Sequence, residues 1–457
     1  MRRWLLFASG LFALVCVGSD RTATSPTDPD SAEASTADAL PTDAADAAPP
    51  SLRDDGMAPP FRWDEMAQRV VDSSTLKSGL SAAGYAPPAG TEIYAAVVQQ
   101  NAHGQGYALF DYGAGAFSQS FWPASTIKLL SSLAALDYVQ SHGFTGAATV
   151  TWKGVFSDVV HNIVRRAIQK SNNQDYDRTV QIAGLDQLNA TWLTAARGFP
   201  HSVIKASYGK LEVKNPPGYT LTEGEKSKVI PARAAKGTYA CKGGRSNCTN
   251  LFELTEAVRR VVWHDAISEA ERFDLPAADR AVLENALCTA IPSFFKAGVD
   301  AALGDGARIC HKPGWMPGSD SLDHGVIEAA DGRRFMLAAA VPDPGDSSSQ
   351  AKLARIAKHT LSVVAALSNP PFFLQPDAGE HIVIEASPAR LRVSSAGADA
   401  VELFIDGKAL AASPPTADGV FSIGATPSDY VGRLVTLRSY AAGSLTGVRN
   451  VALAAPN

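Results

Sequence analysis

Three short stretches of this chain hold residue types suited to acyl transfer. The first is Ser125-Thr126-Ile127-Lys128. A serine hydroxyl attacks poorly until a base takes its proton, and a buried lysine, its charged form disfavoured, can be that base. The spacing alone identifies little, since Ser74, Ser202, Ser207, Ser293 and Ser349 also stand three residues before a lysine. Context separates Ser125 from these. Pro123 and Ala124 lead into Leu129, Leu130, Leu133, Leu136 and Val139, an apolar helical spacing that runs out at Gly143. The hydroxyl then sits in the first turn of a helix, with Lys128 about one turn on and on the same side. Read in isolation, the tetrapeptide fits a helix cap and a solvated lysine better than a nucleophile and its base.

The second stretch is Ser171-Asn172-Asn173, which follows a helical pattern over 158–170. It offers a hydroxyl to relay a proton and an amide to hold a carbonyl; an ordinary polar turn at a helix end fits it as well. The third is Lys312-Pro313-Gly314, with Trp315 next. Lys-x-Gly recurs at Lys77, Lys242 and Lys296, so setting again decides. Gly314 lets a substrate backbone approach closely. Pro313 cannot donate to a ladder and predicts an edge strand, and a free edge suits a peptide-like substrate. The plain alternative is a solvated lysine at a strand end.

The elements that must position these stretches are mixed, which predicts an α+β fold. Residues 93–99 and 107–112 read as strands, and 252–264 returns to a helix. Stretches 179–185 and 188–195 continue helically, and 209–250 reads as a long irregular segment of the kind that often carries function. Strands are expected at 308–315, 325–330 and 334–341, the last two joined by a hairpin at Asp331-Gly332. An amphipathic helix over 352–367 closes this body, and Asn369-Pro370-Pro371 ends it. Beyond it, β-rich runs at 382–384, 391–393, 400–405, 421–423 and 434–437, with a turn at Asp406-Gly407, predict a small immunoglobulin-like β-sandwich. The expected domains are 61–369 and 376–457.

Arg2 and Arg3 before an apolar run from Trp4 to Val17 read as a signal peptide over residues 1–19. Residues 20–60, rich in Ala, Ser, Thr, Asp and Pro, cannot bury enough apolar surface to offset chain entropy and read as a disordered linker. Export to a periplasm or cell envelope follows as an expectation. Cys16 would be the lipid acceptor of a membrane tether, although Val15 departs from the small residue that normally precedes such a cysteine. Export leaves Cys241, Cys248, Cys288 and Cys310 for two disulfides. Of three connectivities, the expected pairs are Cys241 with Cys248 and Cys288 with Cys310. A net charge of −5 argues against nucleic-acid partners. The nine histidines are scattered, so no metal site and no cofactor are expected.

In this order the three motifs resemble the class A β-lactamase family of penicillin-recognising serine hydrolases. The resemblance runs over 85–367. It also rests on Ile182-Ala183-Gly184-Leu185, on His311 through Trp315, on Asp323-His324, and on the run Asp331 to Leu337. It implies an antiparallel sheet flanked by helices, a helical subdomain, and β-lactam rings opened through an acyl-enzyme. By resemblance Ser125 is the nucleophile, Lys128 a general base and Ser171 the proton relay. Asn173 would bind the substrate's side-chain amide and Lys312 its carboxylate, with Gly314 on the binding strand. Backbone N–H groups of Ser125 and Trp315 would form the oxyanion hole. The family implies no metal or cofactor and small-molecule partners, either β-lactams or peptidoglycan peptides.

The chain departs from the family pattern at three points. Asn172 stands where the family has Asp, and Pro313 replaces a Thr or Ser. The family's deacylating Glu has no clean counterpart; Glu212, with Asn215 close behind, is the nearest candidate, ahead of Glu223 and Glu225. These departures keep open a penicillin-binding D-alanyl-D-alanine carboxypeptidase or other cell-wall hydrolase, and a non-catalytic envelope protein.

Overall fold

The computed structural model describes residues 73–457, except 102–103, 114–115, 119–120, 242–245, 268, 346–347, 368–371, 374–381, 384–389, 395–397, 406–407, 412–419, 425–433 and 455–457. The expected signal peptide and linker, Cys16, Asn369-Pro370-Pro371 and the turn expected at Asp406-Gly407 lie outside the described residues.

The chain opens with α1 (Ser73–Ala82), β1 (Glu92–Asn101) and β2 (Gly104–Tyr112). A 3₁₀ turn, Ala124–Ile127, feeds α2 (Lys128–Ser141). Next come β3 (Thr149–Trp152), β4 (Phe156–Val159), α3 (Val160–Gln169) and α4 (Asn173–Ala183). The stretch β5 (Val203–Ile204), β6 (Tyr219–Glu223), β7 (Lys226–Ile230) and β8 (Asn247–Cys248) precedes α5 (Leu251–Val262), α6 (Ala277–Cys288) and α7 (Lys296–Leu303). The body closes with β9 (Arg308–His311), β10 (Gly314–Trp315), β11 (Asp320–Glu328), β12 (Arg334–Pro342) and α8 (Ser348–Ala365).

The central sheet is antiparallel, in the order β10-β11-β12-β1-β2, with β9 also paired to β11. Side chains alternate across its strands, and both faces are covered. Tyr94, Ala96, Leu109, Val326, Met336 and Ala338 join a core with Leu129, Leu133, Ile163, Val180 and Leu254. Ile93, Ala95, Val97, Phe110, Phe335, Leu337 and Val341 turn the other way, onto Leu76, Val299, Leu353, Ile356 and Leu361. Double coverage explains why β12 is buried almost throughout and reads as an unbroken apolar run. The α+β class and the helix-flanked antiparallel sheet are as expected.

Several boundaries differ. The 209–250 segment is not wholly irregular, since β6 and β7 form a hairpin that extends the β3–β4 pair. The 158–170 helix begins at Val160, because residues 156–159 pair with β3. The expected 188–195 helix is a short π-helical turn, Gln187–Trp192. Strand β11 starts five residues before the expected 325, carrying the polar but buried Ser321, Asp323 and His324. The strand expected at 308–315 is interrupted at Lys312-Pro313, and both pieces lie along β11 at the sheet edge. Helices α1, α6 and α7 had no sequence-based expectation.

Both disulfides, Cys241–Cys248 and Cys288–Cys310, have the expected partners. The second ties the end of α6 to β9.

After α8 the described elements are strands: β13 (Phe372–Phe373), β14 (Ile382–Val383), β15 (Arg390–Ser394), β16 (Ala400–Ile405), β17 (Lys408–Ala411), β18 (Val420–Gly424), β19 (Leu434–Ala441) and β20 (Ser444–Ala454). They form a three-stranded sheet, β13-β15-β18, and a five-stranded one, β14-β20-β19-β16-β17. Val401, Leu403, Ile405 and Leu437 are buried there, while Val448 of β20 joins the α8-side core of the body.

Candidate active site

Ser125 lies in the 3₁₀ turn before α2, and no side chain caps either that turn or α2. The helix-cap alternative therefore fails. Ala124, just before it, is held at φ 46°, a left-handed conformation that costs an alanine free energy. The turn packs on β10. A Cβ at Gly314 would come within 2.9 Å of the Pro123 carbonyl and 3.1 Å of the Ser125 nitrogen, so only glycine allows this approach. The Ser125 turn and the Trp315 edge strand are thereby brought side by side.

Lys128 and Lys312 are both 0 % exposed, which removes the solvated-lysine alternative for each. Lys128 Nζ donates to the Ser171 carbonyl at 2.5 Å and to Asn173 Oδ1 at 2.6 Å, and lies 3.2 Å from Ser171 Oγ. Lys312 Nζ, reaching in from the opposite wall, donates to the same Ser171 Oγ at 3.0 Å and to the Pro313 carbonyl. Ser171 is itself held at φ 55°. Thus side chains of all three sequence motifs, with Ser171 standing 43 residues from Lys128 and 141 from Lys312, meet on one hydroxyl.

Burial pushes the Lys128 pKa down to about 6, and the nearby charge of Lys312 adds to the effect, against Asp177 and Asp175. Burial brings Lys312 down to about 7, opposed by Asp323. An amine with a pKa near 6 is largely unprotonated at neutral pH and competent as a base. Beneath Lys312, His311 Nδ1 pairs with Asp323 Oδ1 at 2.8 Å. His324 is fully buried, and burial first, then Lys312 and His311, lower its pKa to about 3, so it adds no charge.

Asn172 takes over a role that an Asp would fill: its side chain accepts from the Asp175 N–H at 2.9 Å and caps α4. Asp175 in turn pairs with Arg166 and Arg178.

Sequence reasoning missed Asp177 and Tyr208. The fully buried Asp177 accepts from the N–H groups of Tyr208, Gly209 and Leu211 at 2.7, 2.7 and 3.0 Å. It fastens this loop to α4 so closely that a Cβ at Gly209 would lie 2.6 Å from the Gln174 backbone. The Tyr208 ring stacks on Tyr176, meets Trp122 edge-on, and lies 6.0 Å from Lys128 Nζ. A signal was present, namely an acid among the apolar positions of α4, but it carries no partner in the sequence.

Glu212 is not joined to this cluster. Its Oε1 accepts from the N–H groups of Lys214 and Asn215 at 2.6 and 2.9 Å, and these bonds hold its carboxyl below the usual range. Glu223 bonds Thr145 instead, at the β6 end of the hairpin. Among the described residues, no hydrogen bond links either carboxylate to Ser125, Lys128 or Ser171, and no group of acids, histidines or cysteines is arranged to hold a metal ion.

Residues 112–364, more than half of the chain, match a family model described as "Beta-lactamase enzyme family". No protein of curated function matches. Solved structures similar to the chain include a mutant of PBP-A caught as an acyl-enzyme with penicillin G, at 15 % identity and TM-score 0.45, covering 65 % of this chain and 97 % of that one. The extended-spectrum β-lactamase TLA-1 gives 16 % and 0.43, covering 64 % and 99 %. A class A β-lactamase from Mycobacterium abscessus gives 15 % and 0.43, covering 64 % and 98 %.

Proposed function

Because the chain belongs to the β-lactamase enzyme family, a hydrolase of the serine β-lactamase and penicillin-binding kind, we propose that β-lactams acylate it at Ser125 and are opened there. The observation that carries this reading is the neutral-leaning Lys128 amine, buried one helical turn from Ser125 and bonded to Ser171 and Asn173.

In the proposed cycle Lys128 takes the Ser125 proton while Oγ attacks the lactam carbonyl. The N–H groups of Ser125 and Trp315 receive the oxyanion; such donors are worth about 2.7–4 kcal/mol each. The C–N bond then breaks, and Ser171, poised between the two amines, passes a proton to the departing nitrogen. Lys312 attracts the substrate carboxylate and Asn173 its side-chain amide. Water finally cleaves the ester on Ser125. This last step lacks a carboxylate base bonded to the cluster among the described residues, so the acyl-enzyme is long-lived and turnover slow. Two disulfides fit an oxidising compartment, which supports residence in a cell envelope.

Penicillin consumption by the purified protein, compared with Ser125→Ala, tests the reading. Slow consumption abolished by the substitution supports it; equal consumption by both proteins refutes it. The uncommitted deacylation step favours a second reading, a D-alanyl-D-alanine carboxypeptidase of cell-wall peptides. Release of D-alanine from such peptides would establish it, and its absence across peptides and esters would dismiss it.

A further inference from the structure

The Lys312 side chain spans the site to reach Ser171, and short links through α6 set that span. The Lys312 N–H donates to the His324 carbonyl at 2.9 Å, which fixes its main chain along β11. That bond lies within the sheet and does not set the distance to the opposite wall. Two residues before Lys312 stands Cys310, 1 % exposed and joined to Cys288 at the end of α6. The residues after Cys288 hold the end of α3. Gln169 Nε2 donates to Thr289 Oγ1 at 2.8 Å, and the Ile291 N–H donates to the Gln169 carbonyl at 3.1 Å. Gln169 closes α3, two residues before Ser171. At the opposite ends of the same two helices, His161 Nε2 pairs with Asp279 Oδ1 at 2.7 Å. Helix α6 is thus fastened to α3 at both ends and to β9 by the disulfide.

These links close a ring. It runs from Ser171 to Gln169 along the chain, from Gln169 to Thr289 by hydrogen bond, and from Cys288 to Cys310 by disulfide. From Cys310 it follows the chain to Lys312, whose Nζ returns to Ser171 Oγ at 3.0 Å. The closing contact needs such support. Lys128 and Lys312 crowd one hydroxyl, and they repel whenever both are charged. The charged ties between β9 and α6 give little help. The Arg308 side chain that pairs with Glu284 is 44 % exposed, and exposed pairs contribute little.

We propose that Cys288 and Cys310 are positioning residues: their disulfide holds Lys312 against Ser171, and that hold sets the preference for carboxylate-bearing substrates. The inference rests on the acylation reading above, in which Lys312 attracts the carboxylate. A covalent strut keeps the amine in place before substrate arrives, so binding carries less ordering cost.

The test compares benzylpenicillin with its methyl ester, which keeps the nucleus and side chain and lacks the charge. Second-order acylation rate constants are read by intact mass for the oxidised wild type, Cys288→Ala/Cys310→Ala and Cys241→Ala/Cys248→Ala. The last is assayed both oxidised and after reduction by dithiothreitol, which is removed beforehand. The oxidised wild type should favour the acid by about tenfold, the scale of one hydrogen bond to a charged group. Cys288→Ala/Cys310→Ala and the reduced Cys241→Ala/Cys248→Ala protein should both bring the ratio toward one, chiefly by slowing the acid. Should the first variant fail to fold, the second, reduced in its folded state as checked by circular dichroism, gives the answer. A merely structural disulfide would lower Tm and slow both compounds alike. An unmoved ratio therefore overturns the proposal, and so does a wild type without preference. If neither compound labels the oxidised wild type, the acylation reading itself fails and this inference with it.

Discussion

The strand wall and the loop wall of the site give their buried charged groups different partners. On the strand side, Lys312 is buried beside Ser171 with Asp323 only partly offsetting the cost of burial, and Lys128 faces it across the same hydroxyl. Both amines are pushed toward their neutral forms, a condition that destabilises a fold and equips a base. On the loop side, burial raises the Asp177 pKa as well, but here backbone N–H groups bond the carboxylate and work against the shift. Asp177 holds three backbone N–H groups, and Glu212 closes its own turn. The first wall gathers two buried amines on one hydroxyl; the second uses its carboxylates as backbone fasteners. On the proposed reading, the difference teaches that the described site is equipped for attack on a carbonyl more than for release of the ester.

The largest break in this contrast comes from removing the base. Lys128→Ala should lower the acylation rate constant about 10²–10⁴-fold. A change below tenfold, measured by stopped-flow or mass, would remove Lys128 from the chemistry.

The pH profile sharpens the same wall. Lys128 must be neutral and Lys312 charged for carboxylate-bearing substrates. Acylation of the free enzyme should therefore rise with pH through about 6 and fall above about 7. An uncharged ester substrate should keep the rising limb and lose the falling one. Linkage gives a companion result. Lys128 drops from 10.5 unfolded to about 6 folded, so between those values the folded chain binds fewer protons and its stability rises with pH. Lys128→Met should flatten that slope in Tm measurements.

A smaller effect probes the loop wall. Asp177→Asn should replace one of the two accepting oxygens that Tyr208, Gly209 and Leu211 share with an NH2 donor, costing on the order of 2–3 kcal/mol and lowering Tm by about 4–10 °C. Its acylation rate should change far less than that of Lys128→Ala. The reverse pattern would mean that the loop acid, too, belongs to the chemistry. Smallest of all, Glu212→Gln should leave deacylation within about twofold. A collapse of turnover in that variant would restore Glu212 as the base.

The legible part of this molecule is what local pattern encodes. The apolar spacing after Lys128 and the double-sided apolar run of β12 gave α2 and the sheet directly. The motifs at Ser125, Ser171 and Lys312 were visible as words, but their burial was not, and burial is what distinguishes Lys128 from Lys77 or Lys352. The boundaries at β10 and β11 were blurred because Ser321, Asp323 and His324 are polar residues buried by tertiary partners. Asp177 was illegible for a related reason: it acts through backbone N–H groups that only folding brings near. The β6–β7 hairpin was hidden in a segment of charges and prolines, whose strands lean on β3 rather than on their own apolar period.

The most direct test of the central claim is the intact mass of the purified protein over time after addition of benzylpenicillin, followed by peptide mapping. The account predicts one penicilloyl adduct, on Ser125, that outlasts removal of free drug by many minutes. No adduct, or one that maps away from Ser125, would contradict it.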